Sequence, residues 1–98
     1  MNTVSYKQDL LQRLAEPEYA AGYLTECFEA GEAEFLLGLR DVVEAHGGVG
    51  QLAKAAKLSR ESLYRLLSEK GNPRLSSLNT IMNVLGIQLL FTPKEQAA

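Results

Sequence analysis

The sequence predicts an all-α fold ending in one short strand, and three observations predict it. Apolar residues recur at helical spacing over most of the chain, Gly and Pro cut that pattern into short segments, and only residues 87–92 alternate with a period of two. At 98 residues, 46% hydrophobic and 22% charged, the chain has the length and composition of one soluble domain around one core. No apolar run approaches the roughly 20 residues that a membrane-spanning helix needs.

Leu10, Leu11 and Leu14 share a helical stripe, and residues 6–15 carry no breaker before Glu16-Pro17, so a short first helix is expected. Pro17 suits the first position of a second helix, where its missing N–H costs nothing. Tyr19, Ala20, Tyr23, Leu24, Cys27 and Phe28 continue that helix at the right spacing, and Gly31 stops it. A third helix places Phe35, Leu36, Leu39, Val42 and Val43 on one face; Gly38 weakens it slightly and Gly47-Gly48 ends it. Two short helices follow, over residues 49–56 and 60–68, separated only by Lys57-Leu58-Ser59.

Lys70-Gly71-Asn72-Pro73 breaks the chain, Ser76 or Ser77 can cap a further helix with Leu78, Ile81, Met82 and Leu85 on its core face, and Gly86 closes it. Ile87, Leu89 and Phe91 then alternate with Gln88, Leu90 and Thr92 until Pro93. A lone strand leaves its backbone groups unpaired, so the same strand of a second copy is the expected partner, giving a two-fold homodimer. A C-terminal helical extension is the alternative. The organisation expected is a single domain: N-terminal helices over 1–32, a helical bundle over 33–86, a strand over 87–92 and a disordered tail over 93–98.

Charge is divided along the chain. Residues 1–48 carry three cations against nine anions, a net −6, whereas residues 49–98 carry seven against three, a net +4. Such asymmetry suits a polyanion at the basic end and a cation-rich protein at the acidic end, although charge alone is equally compatible with two solvated faces. Cys27 is the only cysteine and His46 the only histidine, which excludes an internal disulfide and any familiar zinc site. No phosphate loop, nucleophile motif or metal cluster is present, so neither enzymatic activity nor a cofactor is expected. Met1-Asn2-Thr3-Val4-Ser5 lacks the features of a secretory signal, and with a single cysteine the expectation is a cytoplasmic protein.

Residues 49–68 have the pattern that two crossed helices require. Ala53 is small where the second helix crosses closest, and Leu52, Ala56, Leu58, Leu63 and Leu66 form the wedge between them. Ser59 is placed to cap the second helix by accepting from the N–H of Glu61 or Ser62, worth on the order of 1 kcal/mol. With Leu63, Leu66 and Leu67 inward, Ser59, Arg60, Glu61, Tyr64, Arg65 and Ser68 face out, a set able to reach base edges and phosphates in a major groove. Arg60, in the first turn, can bond guanine or phosphate; Tyr64 can pack on a thymine methyl or serve as a structural tyrosine. Gln51, Lys54, Lys57, Asn72 and Arg74 flank that helix and are assigned to the phosphate backbone. Glu61 would repel phosphate, so it either accepts from a cytosine amino group or pairs with Arg65 at i+4, and pairing is the expected role.

Tyr6-Lys7-Gln8-Asp9-Leu10-Leu11, Pro17-Glu18-Tyr19-Ala20, Leu39-Arg40-Asp41-Val42-Val43 and, above all, Leu58-Ser59-Arg60-Glu61-Ser62-Leu63-Tyr64-Arg65 carry a family resemblance. It continues through Ser68-Glu69-Lys70-Gly71-Asn72-Pro73 to Leu78 and Leu85-Gly86. The chain resembles the Cro/repressor-type helix-turn-helix family and, more closely, the addiction-module antidote proteins, HigA-like antitoxins found beside RelE/HigB-like toxins. The resemblance implies a Cro/repressor-like helix-turn-helix bundle with extra N-terminal helices, in which residues 1–32 are the part offered to a toxin. It implies a DNA-binding antitoxin of a type II toxin-antitoxin module, one that neutralises an mRNA-cleaving toxin and represses its own operon as a dimer on an inverted-repeat operator in double-stranded DNA. In that family the turn usually holds glycine where Lys57 stands here, so a left-handed lysine costing ~1 kcal/mol is expected. The competing readings are a stand-alone helix-turn-helix repressor with no toxin partner, and a protein-interaction module that does not bind DNA.

Overall fold

The computed structural model describes residues 3–68 and 70–95, with the side chains of 3–5 outside that description. Six helices follow one another: α1 (Thr3–Leu14), α2 (Pro17–Ala30), α3 (Glu32–Ala45), α4 (Val49–Ala56), α5 (Arg60–Leu66) and α6 (Leu75–Leu85). The all-α expectation is met, and Pro17 stands at the start of α2 as its fixed φ and missing donor dictate.

Helices α2 and α3 form a hairpin whose joint is one residue. Gly31, at φ 149°, donates its N–H to the carbonyls of Cys27 and Phe28, and its own carbonyl accepts the Phe35 N–H at 2.9 Å. A single residue thereby closes one helix and opens the next, in a backbone conformation that a side chain rarely tolerates. The two helices close on each other at Gly38, where an added methyl would run into Cys27 Sγ. That glycine, a weak spot by helix propensity, is what the close packing requires.

One apolar cluster joins the elements. Leu14 of α1, Ala20 and Leu24 of α2, Leu39, Val42 and Val43 of α3, Leu52 and Ala53 of α4, Leu63 and Leu67 around α5, and Ile81, Met82 and Leu85 of α6 are all buried in it. Among the described residues no polar or charged side chain is buried. Each buried Leu, Ile, Val or Met contributes about 1.5–3 kcal/mol relative to exposure, so the cluster fixes how α4 and α5 sit on α3 and α6.

One local expectation is corrected. α6 is not capped by Ser76 or Ser77: it begins at Leu75, with Arg74 at the N-cap and no side-chain bond there. The Leu78 N–H already reaches the Arg74 carbonyl at 2.9 Å, so the helix starts one residue after an extended Arg74 and both serines fall inside its first turn. Residues 87–92 form no strand in the single chain, since a ladder needs a second strand and none is present among the described residues. Ile87 instead extends the α6 cap, its N–H bonding the Met82 carbonyl at 2.9 Å, while Leu90 and Phe91 are 74% and 96% exposed. Residues 93–95 of the expected tail are exposed and outside any helix; 96–98 lie outside the described residues. No helix among the described residues is long and apolar enough to cross a membrane.

Candidate nucleic-acid interface

Two short helices and a three-residue turn build the surface. α4 ends at Lys57, which adopts the left-handed conformation, φ 59° and ψ 41°, expected of it. Its N–H and that of Leu58 both bond the Ala53 carbonyl, so the turn satisfies carbonyls at the end of α4 while redirecting the chain. Ser59, with extended backbone, then caps α5: its Oγ accepts the Ser62 N–H at 3.0 Å. The cap is reinforced by a 2.7 Å hydrogen bond between the Ser59 and Ser62 hydroxyls.

Leu63 and Leu67 are the inward anchors of α5, both essentially fully buried, with the partly buried Leu66 and Leu58 packed beside them. Fixing those two side chains decides which face of the helix is left. Ser59, Arg60, Glu61, Tyr64 and Arg65 are all exposed, as are Gln51, Lys54, Lys57, Asn72 and Arg74 around them. Ser68 is half-buried and its hydroxyl donates to the Arg65 carbonyl at 2.9 Å, so it closes the end of α5.

Arg60 lies back against the first turn of α4, its guanidinium 3.6 Å from where a side chain on Gly50 would begin. Glu61 and Arg65 do not pair: the ion pairs among the described residues are Lys7–Glu44 at 3.3 Å and Arg13–Asp9 at 3.2 Å. The expected i+4 bridge is worth only ~0.3–0.5 kcal/mol at an exposed site, too little to hold two long side chains in one geometry. Among the described residues Arg65 has no acidic partner, and the exposed cations of α4 and α5 are not neutralised by Glu61.

Tyr64 is 59% exposed, and it also forms one wall of a groove of about 800 Å³. Lys7 of α1 and Leu37, Arg40 and Asp41 of α3 also line it. The sequence puts Arg40 in the acidic half with no role, yet the fold brings this cation into the same groove as Tyr64. The signal was its isolation, for Arg40 is the only Lys or Arg between Arg13 and Lys54.

On the α2 side, Asp41 accepts a hydrogen bond from Tyr23 Oη at 2.8 Å. Burial, then the Asp41 carboxylate, pushes the Tyr23 phenol well above its usual range, and burial likewise raises the Cys27 thiol. A thiol held protonated is a poor nucleophile and a good packing group.

Comparison with known proteins adds a family. Residues 5–93 match a family model described as "Probable addiction module antidote protein". The chain is also similar to a protein of Haemophilus influenzae (strain Rd) named only "Uncharacterized protein", 33% identical over 81 residues, which is 82% of each chain. No solved structure matches. With nearly its whole length covered by that model, the chain belongs to the family of probable addiction module antidote proteins.

Proposed function

We propose that this protein is a DNA-binding antitoxin: it neutralises a RelE/HigB-like mRNA-cleaving toxin and, as a homodimer, represses its own operon by placing α5 of a Cro/repressor-type helix-turn-helix in the major groove. It acts by binding, with no catalytic step. The observation that carries the DNA half is the anchoring of Leu63 and Leu67 in the core, which leaves Arg60, Tyr64 and Arg65 exposed on one short capped helix. Lys54, Lys57 and Arg74 flank it as phosphate contacts. Membership of an antidote family supports the toxin half. The exposed Leu90 and Phe91 support pairing of residues 87–92 between two copies.

The test is co-expression with the product of the adjacent reading frame, followed by a gel shift of the upstream DNA across a salt series. The expected result is a co-purifying complex and a log–log salt slope of roughly −0.9 per phosphate neutralised. A steep salt slope without co-purification indicates a stand-alone repressor, and a flat slope removes the DNA-binding claim.

A further inference from the structure

The end of the α2–α3 hairpin has a composition that neither the core nor the α5 face explains. Phe28 is 61% exposed, yet its ring is held in place: Phe35 meets it edge to face, with centroids 5.5 Å apart and planes at 89°. A large aromatic side chain fixed by a neighbour and left in water is a ready anchor, because its ordering cost has already been met before any partner arrives. Glu32 stands three residues before Phe35, on the same face of α3 by helical spacing, and Glu29 follows Phe28 directly.

The neighbouring sequence offers these carboxylates no cation. Between Arg13 and Arg40 the chain has six glutamates and no Lys, Arg or His. Neither ion pair among the described residues involves Glu29 or Glu32. An exposed apolar ring with carboxylates at neighbouring positions, none of them in either ion pair, is complementary to a basic surface with an apolar pocket. Phe35 and Leu37, two residues apart, are about 200° apart around α3. The corner is therefore on the far side of that helix from the groove shared by Leu37, Arg40 and Tyr64.

We infer, resting on the antitoxin reading above, that the Phe28–Phe35 corner with Glu29 and Glu32 is the docking surface for the toxin, a basic protein that receives the Phe28 ring in an apolar pocket. Docking there leaves the exposed face of α5 uncovered, so partner and DNA are held on different sides of α3.

The experiment measures binding of the purified product of the adjacent reading frame to the full-length chain by titration calorimetry. Phe28→Ser and the double reversal Glu29→Lys/Glu32→Lys should each weaken binding roughly tenfold to a hundredfold, with helical circular dichroism unchanged. Glu16→Lys/Glu18→Lys, at the other end of α2, should change it less than about threefold. If the wild-type chain does not bind, the corner and the antitoxin reading both fall. If it binds and the corner variants bind equally well, or if the two charge reversals weaken binding alike, the corner alone is refuted.

Discussion

Tyr23 of α2 donates its phenolic proton to Asp41 of α3 at 2.8 Å, a side-chain bond that ties the two arms of the hairpin together across 18 residues of sequence. Burial and the carboxylate keep the phenol protonated, and burial keeps the neighbouring Cys27 thiol protonated. Both groups prefer their neutral forms in the fold, so their stabilisation is complete below the unfolded-chain values of about 8.5 for Cys and about 10 for Tyr and is lost as pH rises through the higher folded values. Urea midpoints should hold level from neutrality to about pH 8 and then decline. Tyr23→Phe should cost about 0.5–1.5 kcal/mol at neutral pH and flatten the upper part of the decline. A variant with the wild-type alkaline profile would dissociate the decline from Tyr23.

Gly38→Ala tests the close approach of α2 and α3. Alanine is the better helix former by about 1 kcal/mol, but its methyl meets Cys27 Sγ, and separating two packed helices costs typically 1–3 kcal/mol. A net loss of stability is expected in the wild-type background and a net gain in Cys27→Ala, a reversal of sign that a double-mutant cycle by chemical denaturation reads directly. Additive effects would place the glycine's role elsewhere.

At the turn, Ser59→Ala should lose about 1 kcal/mol with the cap, and Lys57→Gly should gain up to about 1 kcal/mol by relieving the left-handed lysine. Equilibrium unfolding of the two variants checks both. Destabilisation by Lys57→Gly would mean that the lysine side chain contributes more than its backbone costs.

On DNA, Arg60→Ala should lose about 1–3 kcal/mol and relax sequence preference, whereas Lys54→Ala should weaken every duplex evenly and reduce the salt slope by about one phosphate. Titrations against operator and random duplexes separate the two behaviours. Equal losses on both duplexes for Arg60→Ala remove its base-reading role.

Sedimentation of Leu90→Pro addresses the C-terminal segment. Proline removes a ladder donor and cannot continue a central strand, so the expected dimer should dissociate while the helices remain. A wild-type chain that sediments as a monomer, or a variant that stays dimeric, excludes pairing through residues 87–92.

Much of the fold was legible because its punctuation is chemical. Pro17, Gly31, Gly47-Gly48 and Gly86 each stand where a helix starts or stops, and Ser59 and Lys57 do what their side-chain oxygen and backbone strain predict. What was not legible depends on distance in the sequence or on a second chain. Arg40 and Lys7 come to share a groove with Tyr64 only through the packing of α1 and α3, which no local pattern encodes. Residues 87–92 alternate like a strand, but alternation supplies no partner. The start of α6 is not legible because Ser76 and Ser77 are good caps in isolation, whereas the chain turns helical at Leu75, after an extended Arg74.

The one-residue joint at Gly31 also bears on how the molecule is made. The arms it connects are adjacent in sequence, so bringing them together closes almost no loop and costs little chain entropy. Packing dominated by such near neighbours permits folding in microseconds to milliseconds, far faster than a ribosome adds the next residue. The hairpin can therefore close early in folding and present the faces of α2 and α3 on which α4, α5 and α6 then complete the shared core.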